Sequence, residues 1–223
     1  MRTATFGSIA LAGSLPLILI SRQRVLLQRW LVWLVLFALF GATSLIFVTT
    51  GSSLASVILI AAISIGMFLE LLRLRVAKGF WLLAAAVWLI GIPAIWISAA
   101  PDKLFALFLL VALFDIGGWV GGHSPLRRGF LASPLALKIS PNKTWAGMVG
   151  SVAFLVLASI PVGLLNIWQL VAVAVLATGG DLLESWVKRL AGVKDAGRIL
   201  PGFGGLLDRF DSLVLAGLVL VLL

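Results

Sequence analysis

Long apolar runs alternate with short polar connections along the whole chain, and the runs lack the in/out alternation of strands. At about 20 residues per bilayer crossing, spans are predicted near residues 4–20, 30–49, 54–72, 80–98, 104–122, 145–164, 168–187 and 211–223. Hydrocarbon offers backbone groups no water, so crossings must be helices or a closed barrel, and runs without alternation do not make a barrel. The expected fold is all-α: a polytopic helical membrane protein with about eight transmembrane helices. The N-terminal helices are assigned to residues 1–100, and the C-terminal helices with a cytoplasm-facing catalytic site to residues 101–223.

Two of these runs need comment. The first is followed by basic residues and by no A-x-A site, so it is read as a retained span rather than a signal peptide. The last has only 12 residues after Asp211, and is expected to be tilted, partial or completed by a partner. Together with glycine strips open to packing, this makes a homodimer an expectation.

Composition agrees with the pattern: 62% of residues are hydrophobic and 11% charged, outside the range of ordinary soluble domains. The formal charge of +9 suggests a nucleic-acid partner until the order of the charges is considered. Arg22, Arg24 and Arg29 follow the first span, and Arg73, Arg75 and Lys78 the third. Arg127, Arg128, Lys138 and Lys143 follow the fifth, and Lys188, Arg189, Lys194, Arg198 and Arg209 the seventh. Fifteen of 17 bases thus share one side, with only Arg2 and Lys103 opposite. The positive-inside rule makes that side cytoplasmic and accounts for the net charge without nucleic acid. A bacterial inner membrane is the expected location. Trp30, Trp81, Trp96, Trp145 and Trp168 fall near predicted span ends, as headgroup-level anchors do. The absence of cysteine excludes disulfides, thiolate metal sites and a cysteine nucleophile.

The acids are few and clustered. Of Glu70, Asp102, Asp115, Asp181, Glu184, Asp195, Asp208 and Asp211, six lie between 115 and 211. Asp181, Glu184, Ser185 and Lys188 are spaced for one helix face, and Asp208 and Asp211 are again three apart. Asp115 is followed by Gly117, Gly118, Gly121 and Gly122, a smooth strip that admits a close neighbour. Carboxylates mixed with glycines and bases suit a magnesium–phosphate site. Mg²⁺ takes one or two carboxylates plus water and substrate phosphates, while lysines and arginines hold the phosphates. Against this stand structural ion pairs of Lys188 with Asp181 or Glu184, and a tight turn as the sole purpose of the PGFGG glycines. No G-x-x-x-x-G-K-[ST] or G-x-S-x-G motif supports a P-loop ATPase or a serine hydrolase. His123, the one histidine, is read as a headgroup-level residue.

The run SWVKRLAGVKDAGRILPGFGGLLDRFD, Ser185 to Asp211, resembles the signature of the phosphatidate cytidylyltransferase (CDP-diacylglycerol synthase) family, approximately S-x-x-K-R-x4-K-D-x-[GSA]-x2-[LIF]-P-x-H-G-G-x-x-D-R-x-D. SPNKTWAG (140–147) is similar to the family's S-P-K-K-T-W-E-G, and DIGGWVGG (115–122) to its D-x-x-A-Y-x-x-G. The likeness covers about half the chain, the N-terminal half agreeing through hydropathy alone. Two positions depart: the signature histidine is Phe203, and the glutamate of T-W-E-G is Ala146.

The resemblance implies transfer of a cytidylyl group from CTP to phosphatidic acid at the membrane lipid surface, giving CDP-diacylglycerol and pyrophosphate with Mg²⁺. It also implies the site residues. Asp181, Asp208 and Asp211 are expected nearest the metal, with Asp195 and Asp115 behind. Lys143, Lys188, Lys194, Arg189 and Arg209 are expected on triphosphate or lipid phosphate, Ser140 and Thr144 as donors to phosphate oxygens, and Phe203, Gly204 and Gly205 at the substrate. The two departures leave open a related CTP-dependent enzyme acting on another lipid phosphate, and a non-catalytic lipid-binding homologue.

Overall fold

The computed structural model describes residues 24–74, 88, 91–162, 166–202 and 204–222. The expected crossing at 4–20 and most of that at 80–98 lie outside them. The helices are α1 (Arg24–Thr50), α2 (Leu54–Arg73), α3 (Ile92–Ser98), α4 (Pro101–His123), α5 (Trp145–Val162), α6 (Ile167–Leu190) and α7 (Leu207–Ala216). Among the described residues, four segments are long and apolar enough to cross a membrane: Leu27–Thr50, Leu54–Arg73, Pro101–His123 and Ile167–Leu190. The chain is therefore an all-helical integral membrane protein. Outward-facing Val35, Leu45, Val48 and Ile58 are 55% exposed or more, a surface suited to lipid and costly in water.

The ends of these helices follow local chemistry. α4 opens on Pro101, whose missing N–H costs nothing in a first turn. At the start of α6 the Asn166 side chain accepts from the Gln169 N–H while the Gln169 side chain accepts from the Asn166 N–H, a reciprocal cap that fixes the first turn of α6. The run expected as a span at 211–223 is instead two pieces. α7 starts at Leu207 and gives way to a 3-10 turn over Gly217–Leu222. Gly217 sits against the Trp96 indole, where a Cβ would collide. Trp96 itself is 1% exposed: expected as a headgroup anchor, it is a core residue, because the final turn packs over it.

One element breaks the helical pattern. Between α4 and α5, a small antiparallel hairpin pairs β1 (Pro134–Ala136) with β2 (Ser140–Thr144). Its strand SPNKT has no apolar alternation, so the pattern of hydrophobic positions did not reveal it. β2 leads directly into α5 and so fixes Lys143 and Thr144 beside the helix bundle.

Two close contacts position the site. Gly117 and Gly121 of α4 face Gly150 of α5; a Cβ on Gly117 would lie 2.5 Å from the Gly150 carbonyl oxygen, and one on Gly121 3.0 Å from Gly150 Cα. The glycine strip thus serves helix packing. Gly180 of α6 lies against the Asp211 carbonyl, so any side chain there would push α7 away. Behind these contacts Phe40, Phe108 and Phe210 join α1, α4 and α7, with the Phe40 and Phe108 rings stacked 4.3 Å apart.

Candidate active site

The polar face of α6 holds four groups in or behind the site, Asp181, Glu184, Ser185 and Lys188. Asp181 pairs with Lys143 from β2, whose Nζ also donates to Ser185 Oγ at 3.2 Å. Glu184, fully buried, lies 2.6 Å from Lys188 Nζ. Of the structural pairings open to Lys188 from the sequence, the one with Glu184 forms, while Asp181 turns to Lys143.

Lys188 also reaches Asp208 at 2.7 Å. Asp208 holds the glycine-rich loop at the same time. Its Oδ2 accepts backbone N–H bonds from Ala196 at 2.9 Å, Gly197 at 3.4 Å and Gly205 at 2.7 Å. Burial opposes ionisation of this carboxyl, but the Lys188 ammonium and the backbone donors outweigh it and hold Asp208 below the usual carboxylate range. Between these anchors the chain turns tightly, with Leu200 and Gly204 exchanging backbone bonds of 2.8 and 3.1 Å. Gly202 and Gly204 take φ of +77° and +92°, where a side chain is strained. The glycines do make a tight turn, and that turn lies in the site.

α4 and α7 supply a second cluster. Arg209 Nη2 donates to Asp115 Oδ2 at 2.8 Å, Ser212 Oγ donates to the other oxygen at 3.0 Å, and the guanidinium lies 4.7 Å from the centre of the Trp33 ring. Asp211 differs from its neighbours. It is 8% exposed, accepts the N–H of Ser212 at 2.7 Å, and makes no ion pair among the described residues. It also lies in the negative field of Asp181 and Asp115.

These groups face a cavity of about 1680 Å³. Its polar wall contains Asp115, Asp181, Asp195, Asp208, Asp211, Ser140, Lys143, Thr144, Lys194, Gly204 and Arg209; Trp30, Trp33, Phe37 and Phe108 line another part. Most of the expected site residues are thus brought together. Lys188 and Gly205 stand behind the wall. Arg189 turns outward, its Nε 3.4 Å from the Ile139 carbonyl in the hairpin. Thr144 Oγ1 accepts from the Gly147 N–H at 3.3 Å and so caps α5. Phe203 lies outside the described residues.

The donor set was tested against a hard divalent cation. Among the described residues no three acidic or imidazole side chains form a ready-made metal set. Mg²⁺ does not require one, since one or two carboxylates with water and phosphate suffice. A buried carboxylate without an ion pair, in the field of two more acids, fits such an ion. Asp211 and Asp181 are the residues that could hold it.

Sequence reasoning assigned no role to Glu70 in α2, which is 0% exposed and accepts the N–H groups of Leu206 at 3.0 Å and Leu207 at 2.8 Å. The available signal was an isolated acid in an apolar run, the kind of residue that is costly unless it has work to do. Trp33, under Arg209, carried no signal beyond its place in a span.

Residues 97–223 match the cytidylyltransferase family. Over 155 residues the chain is 39% identical to a phosphatidate cytidylyltransferase of Brucella suis biovar 1 (strain 1330), covering 62% of this chain and 55% of that protein. The phosphatidate cytidylyltransferase of Mycobacterium leprae (strain TN) is 39% identical over 128 residues, 52% of this chain and 38% of its own length. That of Staphylococcus epidermidis (strain ATCC 12228 / FDA PCI 1200) is 43% identical over 118 residues, 49% and 43% of the two chains. The chain spans about half the length of the curated relatives it matches.

Proposed function

Because this chain belongs to the cytidylyltransferase family, we propose that it transfers the cytidylyl group of CTP to phosphatidate, forming CDP-diacylglycerol and pyrophosphate. One observation carries the reading most strongly. A single cavity combines Asp115, Asp181 and Asp211, the bases Lys143 and Arg209, and the apolar Trp33, Phe37 and Phe108. A triphosphate and the phosphate of a two-tailed lipid need that combination of charge and oil in one place. The names of the relatives point the same way.

In the proposed reaction a phosphatidate oxygen forms a bond to the α-phosphorus of CTP, and the bond from that phosphorus to the bridging oxygen breaks, releasing pyrophosphate. The attacking phosphate monoester is already anionic near pH 7, so no general base is needed. Lys143 and Arg209 bind and orient phosphate oxygens, and the positive-φ turn at Gly202–Gly204 lets backbone approach them. Asp181 and Asp211 would hold a Mg²⁺ ion, which would supply positive charge toward the leaving pyrophosphate. On this reading the chemistry runs at the cytoplasmic face of a bacterial inner membrane, a reading that the one-sided distribution of bases supports as to the face.

Purified protein in detergent tests the proposal with CTP and phosphatidate, with Mg²⁺ or with EDTA, beside Asp211→Asn. Pyrophosphate release that EDTA abolishes and Mg²⁺ restores is expected. Release no greater than from Asp211→Asn rejects the activity, and replacing phosphatidate by other lipid phosphates separates the acceptors that the Phe203 and Ala146 departures leave in play.

A further inference from the structure

The first turn of α7 lacks a side-chain cap of its own: Leu206 at its start contributes no such bond, and while the Arg209 and Phe210 N–H groups turn back to the Leu206 carbonyl, the amides of Leu206 and Leu207 point away from the helix. Those amides are met from 136 and 137 residues away. Glu70 Oε1 accepts the Leu206 N–H at 3.0 Å and Oε2 the Leu207 N–H at 2.8 Å. The same carboxylate fills the space beside two loop glycines. A Cβ on Gly197 or on Gly205 would run into the Glu70 oxygens and lie 2.6 Å from its carboxyl carbon. Neither glycine has a positive φ, so it is the crowding by Glu70, and not backbone strain, that excludes a side chain.

Asp208 grips the same loop from its other side, through Ala196, Gly197 and Gly205. Two carboxylates therefore hold five consecutive or adjacent amide groups of one loop, and both glycines that touch them are bare for that reason. Asp208 belongs to the signature; Glu70 belongs to α2, outside the residues 97–223 that match the family.

We propose that Glu70 is a positioning residue for cytidylyl transfer, clamping the 196–207 loop against α2 so that its glycine turn and the head of α7 face the cavity in one register. This rests on the proposed activity for the name of the reaction, while the clamp itself can be tested without it. A carboxylate this deep in an apolar helix is costly to keep, and the two amide bonds give it work that offsets the cost.

Limited trypsin digestion of the full-length protein in detergent reads the clamp directly, since Lys194 and Arg198 lie exposed beside it. Losing two charge-assisted bonds is expected to speed cleavage at these sites about tenfold or more in Glu70→Ala. Cleavage at Arg127 and Arg128, in the loop after α4, stays at the wild-type rate. Gly197→Ala alone speeds the same cleavage, because its methyl displaces the carboxylate. Added to Glu70→Ala it has little further effect, since the space is then open. Glu70→Gln, which keeps one acceptor oxygen, falls between, and it carries the measurement if the alanine variant does not fold. Pyrophosphate release falls in the same order, through kcat. Wild-type cleavage at Lys194 and Arg198 in Glu70→Ala or Glu70→Gln overturns the proposal, and so do multiplicative effects of the Glu70 and Gly197 changes or equal acceleration at Arg127 and Arg128. If wild-type protein releases no pyrophosphate, the reaction is wrong while the digestion still decides the clamp.

Discussion

Asp208→Asn distinguishes a carboxylate that holds the loop from one that serves substrate directly. The side chain is 6% exposed and faces two kinds of donor at once: Lys188 at 2.7 Å on Oδ1, and the amides of Ala196, Gly197 and Gly205 on Oδ2. Asparagine keeps the shape but has one acceptor oxygen. Its NH₂ must point either at an ammonium or at a cluster of N–H groups, so one set of bonds is lost whichever way it turns. Bonds to charged groups are worth about 1.5–3 kcal/mol each. Breaking a buried pair outright costs about 3–5 kcal/mol, but Lys188 retains Glu184 at 2.6 Å. The expected loss is therefore about 2–4 kcal/mol, a fall in Tm of about 5–15 °C for a chain of this size. Thermal unfolding in detergent checks this, and its pH dependence adds a sign. The folded carboxyl titrates below its unfolded value of about 3.9, so its contribution is complete above that value and is lost as pH falls through the folded one. The gap between wild type and Asp208→Asn should be constant from about pH 8 to 5 and close below about pH 4. A variant that melts like wild type but releases no pyrophosphate would refute the reasoning, because Asp208 would then act on substrate or metal and not on the loop.

The acid next to it should behave in the opposite way. Asp211→Asn removes a buried carboxyl that has no ion pair among the described residues and lies in the field of Asp181 and Asp115; its Tm should equal or exceed that of wild type while pyrophosphate release drops about a hundredfold or more. A destabilised variant would show that Asp211 has a structural partner. At the α4–α5 contact, Gly150→Ala places a methyl on the Gly117 carbonyl and 2.8 Å from Gly121 Cα, and overpacking of this kind costs about 1–3 kcal/mol. An unchanged melting curve would disprove so close an approach of the two helices.

What the sequence made legible follows from which interactions are local. Hydropathy located α1, α2, α4 and α6, because a bilayer crossing is written in about 20 consecutive residues. The i, i+3, i+4, i+7 spacing put Asp181, Glu184, Ser185 and Lys188 on one face of α6, and that face does line or back the site. It could not say that Lys143, 38 residues earlier, takes Asp181, since the short hairpin that delivers it has no apolar period. Trp96 misled for a related reason: its position near a span end is that of an anchor, and only the packing of Gly217 over it makes it core. Glu70 was visible as an acid in an apolar run, with Arg73 three residues on as the partner that spacing suggests. Its partners are amides, which carry no mark in a sequence.

Apart from Asp195, the acids in and behind the cavity wall divide by what already neutralises them. Glu184 has Lys188, Asp115 has Arg209 and Ser212, and Glu70 and Asp208 have backbone amides. Each is offset by the folded chain alone, so their removal is felt first as lost structure. Asp181 has one cation, Lys143, and that pair remains partly open, with 33% and 23% of the two side chains exposed. Asp211 has none. In a bundle whose surroundings penalise every uncompensated charge, a carboxyl left without a counter-ion either takes up a proton or is met by positive charge from outside. Within the signature run Asp208 and Lys188 close the loop, while Asp211 is left without an ion pair among the described residues. A substitution series that ranks these acids by melting temperature and, separately, by turnover should therefore give two different orders, with Asp208 high in the first and Asp211 high in the second.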